Sequence, residues 1–106
     1  PVVVLQGQGT MSSAESFAKM LACCAQVTTM GDRTAGSSGN PRRLSLPAGI
    51  EVNMPRWQDE SPEGIPLEDR GFAPDVLLEV AATAFSNTAD PVVAAALRRL
   101  RNQLDR

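Results

Sequence analysis

The chain has 106 residues and a mass of 11.3 kDa, which is enough for one domain with a modest core. Charged residues make up 21% and apolar residues 42% of it, a composition that excludes a disordered chain. The net charge of −2 and the isoelectric point near 5.0 argue against nucleic acid as a partner. No apolar run approaches the roughly 20 residues of a membrane-spanning helix, so we expect no membrane-spanning segment.

Two features favour a piece of a longer protein. The chain opens on the strand-like run PVVVL without an initiating methionine, and it contains no histidine. We therefore expect residues that complete the domain to lie ahead of Pro1, although a simple loss of a few residues would also explain the first feature. Such a piece would expose part of its sheet, so we also expect self-association.

The first third of the chain predicts a β-α-β unit. Val2 to Leu5 is a continuous apolar run, typical of a strand that is buried on both faces. Residues 12–25 predict a helix and Val27 to Met30 a short second strand. The helix is indicated by apolar residues that share one face, namely Ala14, Phe17, Ala18, Leu21, Cys24 and Ala25.

Two adjacent cysteines lie near the end of this helix. Side chains of neighbouring helical residues point about 100° apart, so Cys23 and Cys24 are poorly placed to share a metal or to form an unstrained disulfide. We predict that Cys24 is a small core residue and that Cys23 has no specific role.

The middle of the chain predicts loops and β elements. An irregular loop with the sequence RTAGSSGNP precedes a hairpin, whose strands are residues 43–46 and 50–54. Trp57 is expected in the core or at its rim. Prolines and glycine among acidic residues predict an exposed loop over residues 59–69, and a further strand is predicted over residues 76–80.

The last helix is predicted to begin at Asp90-Pro91, because an N-cap followed by proline is typical of a helix start. An apolar stripe runs along it, formed by Val93, Ala96, Leu97, Leu100 and Leu104. Taken together, these elements predict an α/β domain with a mixed sheet.

The stretch LQGQGTMSSAE, residues 5–15, resembles a dinucleotide-binding turn in its order of strand, G-x-G and helix. Gly7 and Gly9 match the first two glycines, and Asp32 lies where a ribose-binding acid is expected. However, Ser12 replaces the third glycine, and no second β-α unit follows Asp32. Both facts count against a dinucleotide site.

Ser12 has two further interpretations. At the start of a helix it can act as a nucleophile whose oxyanion is held by free N–H groups, while Gly9 leaves room for a substrate backbone. Alternatively, Ser12 and Glu15 form the S-x-x-E capping box, or Glu15 pairs with Lys19 one turn later. Lys19 is the amine available as a base, and we expect its side chain in water.

Four stretches, in this order, resemble one protein family. They are PVVVLQGQGTMSSAESFA, VTTMGDRTAGSSGNP, RGFAPDV and DPVVAAALRRLR. They are similar to the C-terminal half of the catalytic domain of the tail-specific serine peptidases, which include the carboxyl-terminal processing proteases and the tricorn protease core. The resemblance covers nearly the whole chain. It implies a Clp protease/crotonase-like fold, with residues 1–106 as the C-terminal portion of a serine peptidase catalytic domain.

The resemblance also implies roles for individual residues. Ser12 matches the nucleophile, and the N–H of Ser13 matches a donor of the oxyanion hole. The implied reaction is acyl transfer from peptides or unfolded proteins, with no metal or organic cofactor. Gly9, Gly36 and Ser37 are the candidate substrate-binding residues, although the loop of residues 31–40 can equally be a plain surface turn.

The general base is where the chain departs from part of the family. Processing proteases have a lysine in the pattern G-[DE]-x-T-x-G-K, and Ser37 occupies that position here. Resemblance to the tricorn-type branch implies instead a histidine base from outside this segment, so the segment alone is expected to be inactive. That branch also has a supporting glutamate. Glu68 matches it best and Asp69 is the alternative, while Glu68 can equally be a solvated acid.

A second function stays open on the same scaffold. The fold resembles the retinoid-binding repeats of the eye, in which ligand binding replaces proteolysis. Such a protein would need an apolar pocket lined by residues such as Met11, Met30 and Met54.

Overall fold

The computed structural model describes residues 1–61 and 63–105. Pro62, which falls within the predicted exposed loop, lies outside the described residues. The regular elements are β1 (Val2–Gln6), α1 (Ser13–Ala22), β2 (Val27–Gly31), β3 (Arg42–Ser45), β4 (Glu51–Met54), β5 (Val76–Leu77) and α2 (Pro91–Leu104). Two short 3₁₀ turns, Pro47–Gly49 and Ala82–Ala84, complete the list.

The site is built on a parallel sheet with the strand order β1-β2-β5. Val2 pairs with Val27 at one end of the first ladder and Gln6 with Gly31 at the other, while Met30 pairs with Val76 in the second. The helix between two parallel neighbours is the expected β-α-β crossover. The α/β class is confirmed. The antiparallel strands β3 and β4 form a second sheet rather than joining the first.

Strand β1 forms where it was predicted. The prediction that both of its faces are buried is wrong for the described residues. Val2 is 46% exposed and Leu5 is 42% exposed. The reason is that β1 is an edge strand whose one sheet neighbour among the described residues is β2. The firmest core of this sheet lies one strand further in, where Thr29 and Met30 of β2 are buried.

Helix α1 is shorter than predicted, and its buried positions only partly match the predicted apolar face. Its buried residues are Glu15 and Ala18, whereas Phe17 is 58% exposed. The helix ends at Ala22, so Cys23 and Cys24 follow it and are both exposed. The prediction of Cys24 as a core residue is therefore wrong. Ala18 is buried as predicted, but the apolar pattern did not include Glu15, because that buried position holds a carboxylate.

The predicted hairpin is confirmed and projects as an exposed arm, defined here as residues 40–57. Strands β3 and β4 pair from Arg42 with Met54 to Ser45 with Glu51, and nearly every residue of the arm is exposed. At its base the Arg56 N–H donates to the Gly39 carbonyl oxygen at 2.8 Å. Trp57 is 57% exposed, so its predicted place in the core or at its rim is wrong.

The start of the last helix follows the sequence signals, whereas the strand predicted over residues 76–80 is limited to Val76–Leu77. Asp90 is the N-cap of α2, and its carboxylate accepts from the N–H groups of Val92 and Val93. Of the predicted apolar stripe, Ala96 is buried, while Leu97 and other members remain exposed. Within the described residues, no helix has the length and apolar character needed to cross a membrane.

Candidate active site

Ser12 sits at a tightly held bend between β1 and α1. The turn ahead of it closes when the Thr10 N–H donates to the Gly7 carbonyl oxygen at 2.8 Å, and Thr10 is then tied to the next loop by the Ala35 N–H at 2.9 Å. The Ser12 N–H donates to the Ser37 carbonyl oxygen at 2.8 Å. These bonds hold Ser12 at φ 55° and ψ −126°, a conformation that side-chain-bearing residues adopt only under constraint.

Ser12 and Glu15 stand in the arrangement of a capping box, but the cap engages the main chain of Ser12. Glu15 Oε2 accepts from the Ser12 N–H at 3.0 Å, and the Glu15 N–H donates to the Ser12 carbonyl oxygen at 2.9 Å. In this box the Ser12 hydroxyl can act only as an acceptor toward α1, so its proton is not used by the cap. Capping and chemistry are therefore compatible here, because the cap leaves the hydroxyl available.

Glu15 is the most heavily engaged side chain of the site, and it is fully buried. Besides the Ser12 N–H, its carboxylate accepts from the Thr34 hydroxyl at 2.6 Å, the Gly36 N–H at 2.8 Å and the Ser37 N–H at 3.0 Å. Burial acts to raise the pKa of Glu15, but the hydrogen bonds from Thr34, Gly36, Ser37 and Ser12 outweigh it and hold the pKa below its ordinary value. Glu15 is thus an ionised anchor that joins α1 to the loop of residues 34–37.

Thr34 extends this anchor to a third segment. Its hydroxyl donates to Glu15 and accepts from the Phe72 N–H at 2.6 Å. Gly71, with φ 67°, lies so close that a Cβ there would be 2.1 Å from the Thr34 carbonyl oxygen. Three of the sequence stretches, around Ser12, Thr34 and Gly71, therefore meet at one buried network.

The structure brings Glu68 to the loop beside Ser12. Glu68 is exposed, and its Oε2 accepts from the Ser38 N–H at 3.3 Å. Asp69 contributes its main chain, since its N–H donates to the Gly36 carbonyl oxygen at 2.8 Å. Ser12 and Glu68 are thus linked through the adjacent residues Ser37 and Ser38.

The three candidate substrate-binding residues differ in what they offer. Gly9 is exposed, and a Cβ built on it would meet no described atom within 4 Å. Ser37 is also exposed. Gly36 is buried and both of its main-chain polar groups are occupied, the N–H by Glu15 and the carbonyl oxygen by Asp69. Gly36 therefore shapes the loop and offers no free main-chain group to a substrate.

Lys19 is engaged away from Ser12, so the expectation that its side chain lies in water is wrong. Its ammonium group pairs with the Asp59 carboxylate and donates to the Glu60 carbonyl oxygen at 2.9 Å. The alternative of a Glu15–Lys19 pair is not formed either, because Glu15 faces the loop of residues 34–37. Lys19 is thus occupied, and the chain has no histidine.

The rival ligand sites find little support in the geometry. The Asp32 carboxylate, the candidate ribose-binding group, accepts from Gln8 Nε2 and from the Arg33 N–H, both at 2.7 Å. Met30 is in the core and Met54 lies in the arm, so the methionines proposed for an apolar pocket belong to different parts of the molecule.

Sequence reasoning missed the central place of Glu15 and Thr34. Glu15 was considered as a cap or a surface ion-pair partner, and Thr34 was only part of a motif. The apolar pattern of α1 does not mark Glu15, because its burial depends on the loop of residues 34–37. A buried carboxylate needs donors, and the adjacent glycine- and serine-rich loop supplies them as main-chain N–H groups.

Comparisons with known proteins point to one family. The model of peptidase family S41 matches residues 1–78. The chain is 31% identical over 93 residues to a carboxyl-terminal-processing protease of Synechocystis sp. (strain ATCC 27184 / PCC 6803 / Kazusa), a match that covers 86% of this chain and 21% of that protein. The chain therefore spans about a fifth of the length of this curated relative.

Two solved structures show the same fold. The photosystem II D1 C-terminal processing protease is 30% identical, with a TM-score of 0.60 over 74% of this chain and 20% of that one. The tricorn protease is 21% identical, with a TM-score of 0.84 over 98% of this chain and 10% of that one. The resemblance to this group of peptidases and the Clp protease/crotonase-like fold are confirmed.

Proposed function

Because the chain belongs to peptidase family S41, we propose that residues 1–106 form the C-terminal portion of the catalytic domain of a serine peptidase. Ser12 is its nucleophile, and its substrates are peptides or unfolded protein chains. The carboxyl-terminal processing described for two of the similar proteins supports this class of substrate.

One observation carries the proposal, namely the constrained backbone of Ser12 beside an available hydroxyl. Its positive φ of 55° costs about 1–3 kcal/mol for a residue with a Cβ, so the surrounding contacts must enforce it. Those contacts come from Ser37 and Glu15, and both use the main chain of Ser12. Strain of this kind is concentrated at active sites, where it holds a reactive group in a fixed position.

The proposed reaction is acyl transfer. Ser12 Oγ attacks the substrate carbonyl carbon while its proton passes to a base supplied from outside this chain segment. The Ser13 N–H, in the first turn of α1, then donates to the oxyanion of the tetrahedral intermediate, because the first N–H groups of a helix have no intrahelical acceptor. The base returns the proton to the leaving amine, and water releases the acyl group from Ser12.

Glu68 has a supporting role in this proposal. Its carboxylate holds the Ser38 N–H, next to the residue whose carbonyl oxygen fixes the Ser12 N–H. A negative charge at this point also favours the protonated form of a base that has taken the proton of Ser12. The open main chain at Gly9 leaves room for an extended substrate.

The test is covalent labelling of the full-length protein with a fluorophosphonate probe, with the labelled peptide located by mass spectrometry. We expect the label on Ser12 of the wild type and none on a Ser12→Ala variant. Ser45→Ala, in the exposed arm, is the matched control and should be labelled like the wild type. A folded wild type that takes no label would contradict the proposal and favour a ligand-binding protein. A label that survives in Ser12→Ala would also contradict it, because the nucleophile would then be another residue.

A further inference from the structure

A second polar cluster joins α1 to the loop that carries Glu68. Ser16 Oγ donates to Asp59 Oδ2 at 3.1 Å, and the Lys19 ammonium group pairs with Asp59 Oδ1. Lys19 also donates to the Glu60 carbonyl oxygen at 2.9 Å. Ser16 and Lys19 are one helical turn apart, so a single carboxylate receives both side chains from the same face of α1.

Asp59 is linked to Glu68 through the main chain. The Asp59 carbonyl oxygen accepts from the Leu67 N–H at 2.9 Å, and Leu67 is buried. The next residue is Glu68, whose carboxylate holds the Ser38 N–H.

From Glu68, the contacts lead back through Ser38 and Ser37 to Ser12, at the start of α1. Ser38 follows Ser37, whose carbonyl oxygen accepts from the Ser12 N–H. The contacts thus form a closed ring that runs along α1, across Asp59 to Glu68, and back through Ser37 to Ser12.

We propose that Ser16, Lys19 and Asp59 form a clamp that positions Glu68 relative to Ser12. This inference rests on the proposed function, because it assigns the clamp to the same reaction. The three residues are positioning residues, since their side chains contact one another and the loop rather than Ser12.

The surroundings of the clamp suit this role. The Lys19 and Asp59 side chains are each 19% exposed, whereas those of the Arg43–Glu51 ion pair in the arm are 67% and 54% exposed. Burial acts to raise the pKa of Asp59, but the hydrogen bond and charge of Lys19, with help from Ser16, lower it below its ordinary value. An ion pair that is mostly shielded from water holds its geometry better than an exposed pair.

The test is a double-mutant cycle on the peptidase activity of the full-length protein. Asp59→Asn should lower kcat by about tenfold while KM changes little, because misplaced supporting groups reduce the rate more than they reduce binding. In a Glu68→Gln background, the same substitution should have almost no further effect, because Asp59 acts through Glu68. Glu51→Gln, which removes the exposed ion pair of the arm, is the control and should leave kcat unchanged.

A milder variant keeps the test decisive if Asp59→Asn does not fold. Ser16→Ala removes one hydrogen bond to Asp59 and leaves the ion pair, so we expect a fall in kcat of about two- to threefold that also disappears in the Glu68→Gln background. Losses that multiply in the double variants, or single variants with wild-type kcat, would overturn the clamp. Failure of the proposed function would look different, since a Ser12→Ala variant would then retain activity.

Discussion

Two glycines of this chain have nearly the same φ angle but opposite surroundings. Gly36, in the loop beside Ser12, has φ 70°, and Gly49, at the tip of the arm, has φ 73°. A Cβ on Gly36 would lie 2.5 Å from the Gly71 nitrogen and 2.7 Å from the Leu67 carbonyl oxygen, whereas a Cβ on Gly49 would meet no described atom within 4 Å. The loop is fixed by its neighbours, and the arm is fixed mainly by its own turn.

The largest expected effect separates these two glycines. Gly36→Ala should destabilise the full-length protein by about 4 kcal/mol, because strain at positive φ adds to a clash with main-chain atoms that cannot move freely. Gly49→Ala should cost only about 1 kcal/mol, the strain alone. Urea unfolding of both variants measures the difference, and equal losses would show that the packing around Gly36 is looser than the structure indicates.

A smaller effect is expected from the buried carboxylate. Glu15→Gln keeps the shape of the side chain but should cost about 2–3 kcal/mol, because an amide nitrogen then faces N–H donors that the carboxylate accepted. The same change in the arm, Glu51→Gln, removes an exposed ion pair and should cost less than about 0.5 kcal/mol. Urea unfolding again gives both values, and a Glu15→Gln variant as stable as Glu51→Gln would mean that the buried network contributes little to the fold.

The comparison also explains which parts of the structure were predictable from the sequence. The arm and the start of α2 depend on local signals, such as the turn at Pro47–Gly49 and the cap at Asp90, and these need no knowledge of distant residues. The buried face of α1 depends on a partner 19 to 22 residues away, the loop that binds Glu15. A pattern of apolar residues cannot identify that face, so Phe17 and Cys24 were predicted in the core and are exposed.

The candidate site divides in the same way. Ser12 was predicted as the nucleophile from the family resemblance, whereas its place between a glycine turn and a helix also allowed a capping role. The clamp at Asp59 was not predicted. In the sequence, Asp59 lies 40 positions after Lys19 and 43 positions after Ser16. Within the loop of residues 59–69, nothing in the local pattern distinguishes Asp59 from its exposed acidic neighbours, and only the fold brings Lys19 to it.

The smallest expected effect is the response of the buried network to acid. The pKa of Glu15 is lowered from its ordinary value of 4.5 in the folded state, so its ionised form stabilises the fold above about pH 4.5, and this contribution is lost as the pH falls through the lowered pKa. Asp59 has the same sign, because its pKa is also lowered. The wild type should therefore lose stability more steeply than Glu15→Gln between about pH 5 and pH 3, as measured by urea unfolding at each pH. The Glu15→Gln variant keeps the Asp59 contribution, so parallel curves for the two proteins would show that protonation of Glu15 does not weaken the network around Ser12.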